Sequence, residues 1–172
     1  MSVSSRTRRS LAVAAITAMF VPALAAAQTP LNVSVTVNTA LSVSVTQALL
    51  FGTLTPGGTR TISATDETNS GIYQITGTGG ANVNMSVTFP TCLKLAPGAS
   101  VAADPAIDNN SAHWSQVLGG VHTALVGAGT LTGTGTLSGG GNLFVFVGSR
   151  VTIPAAATAG TYSGTVTMTA NY

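Results

Sequence analysis

Between Leu31 and Val45 the chain reads LNVSVTVNTALSVSV, with apolar residues at nearly every odd position and Asn, Ser or Thr at nearly every even one. A period of two is the pattern of a strand buried on one face. Fully extended at roughly 3.3 Å per residue, the run would reach about 50 Å, whereas an ordinary strand has about five or six residues. Its apolar face is broken at Asn38-Thr39-Ala40, where Thr39 takes an odd position. The reading is therefore two strands, Leu31 to Val37 and Leu41 to Val45.

The residues before this run carry a different signal. Arg6, Arg8 and Arg9 precede a nearly continuous apolar stretch from Leu11 to Leu24, and Ala25-Ala26-Ala27 supplies small residues before Gln28. This is the layout of a secretory signal peptide over 1–27, cleaved before Gln28. The stretch is short for a bilayer span and contains Pro22. The Arg8-Arg9 pair also loosely resembles a twin-arginine signal, so either export route is open.

With those residues removed, Arg60, Lys94 and Arg150 face Asp66, Glu67, Asp104 and Asp108, a net charge of −1. Neutralising phosphates takes clustered Lys and Arg, which excludes nucleic acid as a partner. Charged residues make up 6% of the chain, against about a quarter in ordinary soluble domains, and Thr, Ser, Asn and Gly stand in their place. Such a surface repels its own copies weakly and suits a protein that associates. Cys92 is the single cysteine, so no intrachain disulfide forms; the expectation is a buried thiol, the alternative an intermolecular bond.

Strand signals continue along the rest of the chain. Leu49 to Leu54, Thr59 to Ala64, Gly71 to Thr76, Asn82 to Phe89, Leu131 to Leu137, Leu143 to Val147, Arg150 to Pro154 and Tyr162 to Tyr172 read as strands. Thr55-Pro56-Gly57-Gly58 and Ser138 to Asn142 read as turns, and Ala96 to Ser111 as an irregular segment. No segment has a helical period. Many short strands without intervening helices argue for an all-β antiparallel sandwich. A small membrane barrel is the runner-up, disfavoured because its two aromatic girdles ask for more than 5% aromatic residues.

Chemistry finds little foothold. His113 and His122 belong to no metal-binding spacing, and no nucleophile elbow is present. Asp66 and Glu67 are adjacent and on a strand would point to opposite faces. Asp104, Asp108, Asn109 and Asn110 offer oxygen ligands but match no calcium loop. Gly77-Thr78-Gly79-Gly80 precedes a strand rather than a helix, which removes the dinucleotide reading. The expectation is a protein without catalytic residues, cofactor or metal.

Several stretches together resemble a known family. Leu50-Phe51-Gly52-Thr53-Leu54-Thr55-Pro56-Gly57, Ile153-Pro154 and Ala159-Gly160-Thr161-Tyr162-Ser163-Gly164-Thr165-Val166 with the terminal Tyr172 look like the secreted bacterial family catalogued as domain of unknown function 4402. In layout they are similar to spore-coat-U-type and fimbrial, chaperone–usher-like major subunits. The resemblance implies an immunoglobulin-like sandwich that lacks one strand and receives it from the N-terminal extension of the next subunit. It also implies a periplasmic chaperone and an outer-membrane usher as partners. The chain departs from many pilins in having no cysteine pair for an intradomain disulfide.

Together these readings predict an extension over 28–39 and a β-sandwich over 40–172. Leu31, Val33, Val35 and Val37 are the expected donor face, and Tyr162, Val166, Met168 and Tyr172 the expected C-terminal strand of the receiving side. The function expected is a pilin-like subunit of a surface or extracellular fibre, secreted and assembled from copies of itself. The alternative is a monomeric carbohydrate-binding or adhesin module using His113-Trp114 and Asp104 to Asn110.

Overall fold

The structure, a computed structural model, describes residue 35 and residues 37–95 and 104–172. The chain divides into two units, Met1–Val35 and Thr36–Tyr172, and the fold is that of the second. The expected signal peptide and most of the expected extension, Leu31 and Val33 included, lie outside the described residues.

Among the described residues the fold is all-β. Its strands are β1 (Ser42–Gln47), β2 (Thr59–Ile62), β3 (Gly71–Thr76), β4 (Asn82–Thr88), β5 (Lys94–Leu95), β6 (Ala106–Ser115), β7 (Thr123–Ala124), β8 (Thr130–Thr136), β9 (Asn142–Thr152), β10 (Tyr162–Ser163) and β11 (Thr167–Asn171). Every pairing is antiparallel. One sheet has the order β1-β3-β9-β6-β7, with β2 also on β9; a second has the order β11-β4-β8; β5 and β10 form a small ribbon. The sheets make an immunoglobulin-like sandwich, as expected.

The core follows from period-two patterning. Val83, Met85 and Val87 of β4, with Phe89 just beyond it, point inward and are buried together with Ile75, Leu143, Val145, Val147 and Ala112 of the facing sheet. Outward positions of β4 and β8 are Asn, Ser and Thr, and they pair across strands: Thr136 donates to Asn82 and Thr134 to Asn84, at 2.7 and 2.9 Å.

Strand β9 corrects the expectation of two strands over Leu143 to Pro154. It runs unbroken from Asn142 to Thr152 because both its faces are covered. Leu143, Val145 and Val147 face the inter-sheet core, while Phe146 packs with Ala64 and Ile72 on the outer face. A strand buried on both sides reads as a continuous apolar run rather than an alternation. Its edge is shared end to end: β3 pairs with residues up to Val147, and β2 takes over from Ser149.

Three further expectations change. Leu49 to Leu54 forms no strand: at the end of β1 the Gln47 amide donates to the carbonyls of Glu67, Thr68 and Ser70, at 3.1, 3.1 and 2.6 Å, and the pairing of β1 with β3 stops there. The Asp108 to Ser111 cluster lies within β6, not in a loop; it forms a bulge in which Asn109 has φ 46°, a conformation Asn tolerates. The closing stretch is two strands, because Tyr162-Ser163 pairs with β5 and only Thr167 to Asn171 pairs with β4.

Candidate functional site

The two long edges of the sandwich, β1 on one sheet and β11 on the other, are closed together at one pole. There the Tyr172 hydroxyl donates to the Thr39 carbonyl and accepts from the Thr78 N–H, both at 2.7 Å. The Thr39 N–H in turn donates to Thr78 Oγ1 at 2.7 Å. Leu41, Met168 and Ala170 are half-buried against the core beside this clamp.

Toward the other pole the same edges part. Val43 pairs with Ile75 and Val45 with Tyr73, so both belong to the core-facing row of β1, yet they are 38% and 64% exposed. Beyond them opens a groove of about 940 Å³. One wall is Val45 and the irregular segment through Leu50, Phe51 and Leu54; the other is the 157–166 stretch with Tyr162 and Val166. The floor is the core itself, including Val147, Val151, Ile107 and Leu93. Leu50 is 70% exposed. A row of apolar side chains left uncovered on the inside of a sandwich marks an incomplete core rather than a surface.

The wall formed by 48–54 belongs to no strand. Beyond the end of the groove, β11 has a partner strand, β4, on one edge only among the described residues. An edge of this kind is a template for one more strand.

Of the residues expected to donate, Val35 and Val37 lie in no strand and are exposed, Val37 at 86%. The four expected on the receiving side are not one strand. Tyr162 is in β10, with its hydroxyl donating to the Thr158 carbonyl at 2.8 Å. Val166 lies between β10 and β11, Met168 is in β11, and Tyr172 follows its end. Tyr162 and Val166 line the groove, whereas Met168 and Tyr172 belong to the closed pole. Sequence reasoning missed Leu50, Phe51, Tyr73, Ile107 and Leu93 as lining residues. A signal existed for the first two: Leu49-Leu50-Phe51 is a run of three apolar residues that breaks the alternation.

The residues weighed for other chemistry are placed elsewhere. His113 and Trp114 point to opposite faces of β6, as neighbours on a strand must. Trp114 packs against the core, and His113 stands edge-on to His122 with ring centroids 6.2 Å apart. The two cannot form one stacking surface, and His113 does not simply face solvent. His122 stacks on Phe146 at 4.5 Å, and its Nε2 lies 2.8 Å from Glu67 Oε1. Glu67 also accepts from the Gly119 N–H at 2.8 Å, tying the 116–122 loop to the 65–70 turn. Asp108 is held by Arg150 through two bonds of 2.7 Å, and the Arg150 hydrogen bond keeps its carboxyl below the usual range. Asp104 pairs with Lys94. Cys92 is a free thiol and half-buried.

No protein-family model matches the chain, and no curated protein or solved structure matches it. The fold and the site define a class by themselves: an antiparallel immunoglobulin-like sandwich whose core is open along one side.

Proposed function

We propose that the protein is a structural, non-enzymatic subunit of a secreted fibre, and that the groove receives the segment Leu31 to Val37 of a neighbouring copy. The observation that carries this reading is the uncovered core between the Val45–Leu54 wall and the 157–166 stretch, with Val45 and Leu50 exposed beside it. Length supports it. The groove floor runs from Val147 of β9 to Ile153 just past its end, six residue steps or about 20 Å, and Leu31 to Val37 is also six steps. Leu31, Val33, Val35 and Val37 would then present four apolar side chains to the gap, each contributing about 1.5–3 kcal/mol if fully buried.

The root of the extension is pinned at Thr39 by Tyr172 and Thr78, at the pole opposite the groove. Filling the groove of a neighbouring copy, when it does not close on itself, builds a filament. The low charge of the chain leaves little repulsion between successive copies. The resemblance to fimbrial subunits points the same way, and with it to export through the periplasm, a chaperone and usher as partners, and a place at the cell surface.

The test compares the chain from Gln28 with the same chain lacking 28–38, by negative-stain microscopy and size exclusion. The full chain forms filaments, while the shortened one remains a folded monomer. A full chain that stays monomeric at high concentration, or a shortened one that unfolds because it has lost its own strand, would overturn the proposal.

A further inference from the structure

The groove ends at one level on β3, on β9 and on the stretch leading into β11. Along β3, Gly71 lines the groove, Tyr73 stands at its margin and Ile75 is fully buried. Along β9, Val151 and Val147 line it, whereas Val145 and Leu143 are sealed in the core. On the opposite sheet Val166 lines it, and Met168 and Ala170 pack against the core beyond. At this level the Tyr73 hydroxyl crosses from one sheet to the other and donates to the Val166 carbonyl at 2.7 Å. Burial raises the pKa of this phenol, so it stays a donor across the physiological range.

We infer that Tyr73 is the end stop of the groove: its ring and its bond to Val166 fix how far an inserted strand runs, and so set the register in which Leu31, Val33, Val35 and Val37 enter. This rests on the fibre-subunit reading and adds a residue that determines specificity within it. Two properties make Tyr73 suited to the role. Its ring fills the space between the sheets where a fifth inserted side chain would have to go. Its hydroxyl also occupies the carbonyl of Val166, the residue just before β11, so that acceptor is not open to an incoming strand.

The test uses the chain from Gln28 carrying Val35→Asp, whose own extension is a poor plug and whose groove is intact, titrated with synthetic peptides and followed by fluorescence anisotropy. One peptide is Gln28 to Asn38; two others are lengthened by a Val-Ser repeat, one at each end of the apolar run. With Tyr73 present, neither lengthened peptide binds more than about twofold tighter, because no space remains for the added valine. With Tyr73→Ala, one of the two gains about tenfold, the worth of one more buried valine. Tyr73→Phe keeps the ring and frees the Val166 carbonyl; it gives a smaller gain for the same peptide and decides the matter if the alanine variant does not fold. A tenfold gain with Tyr73 in place, or no gain in the folded variants, would overturn the end stop. Failure of the Gln28 to Asn38 peptide to bind at all would instead overturn the fibre reading.

Discussion

Single residues decide how the outer face of the larger sheet is sealed, and His113 is the most telling. Burial, and to a smaller degree the neighbouring His122, holds its imidazole below the ordinary histidine value. The groups facing it are His122, which stands edge-on, and Glu67 beyond that ring. An unfolded chain takes up this proton near pH 6.5, whereas the folded chain does so only at lower pH. Between those values the unfolded state binds more protons, so the contribution to stability is present above about pH 6.5 and is lost as pH falls. His113→Gln is expected to flatten the decline in melting temperature between pH 8 and pH 5; an unchanged slope would show that His113 is not the group responsible. None of this was legible in the sequence. β6 was not legible as a strand, so the opposite facing of His113 and Trp114 was not anticipated, and the ring beside His113 is that of His122, nine residues further on and bonded to Glu67 much earlier in the chain.

Among the elements, β4 was legible because one face meets the core and the other meets solvent or polar neighbours, so the period of two survives. β9 was not, because its two faces are covered by different neighbours. The chain from Ile62 to Ala64 passes so close over Gly148 that a Cβ there would collide with the backbone of Ile62, Ser63 and Ala64. Backbone cannot move aside as a side chain can. Gly148→Ala is therefore expected to cost about 3 kcal/mol, read from the urea midpoint. A midpoint close to that of the parent would mean that β2 and β9 are less tightly joined than their geometry requires. The same crossing explains why a glycine in mid-strand did not end the strand: it marks a close approach of another segment. The closing stretch misled in the opposite sense. Its alternation continues from Tyr162 to Tyr172, but its two halves pair with different strands, and Gly164 passes close to Leu93 and Pro90 between them.

For the whole molecule, the proposal that each extension fills the groove of a neighbouring copy implies directional growth. A copy with a damaged plug still accepts a neighbour but cannot enter one. Val35→Asp places a charge in the middle of the expected donor face, and burying it unpaired is strongly unfavourable. Added as a minor fraction to the parent chain from Gln28, this variant is expected to shorten filaments in proportion to its share, as measured by their length distribution in negative stain. Unchanged lengths would remove Val35 from the joint. The sequence by itself determined the strand class of the chain and the inward row of β4, because these depend on neighbours two residues apart. Only the tertiary structure decided where the core is left uncovered. That property belongs to no strand alone: it arises because β1 stops at Gln47, β11 begins at Thr167, and Tyr73 bridges the sheets at the level where their edges part.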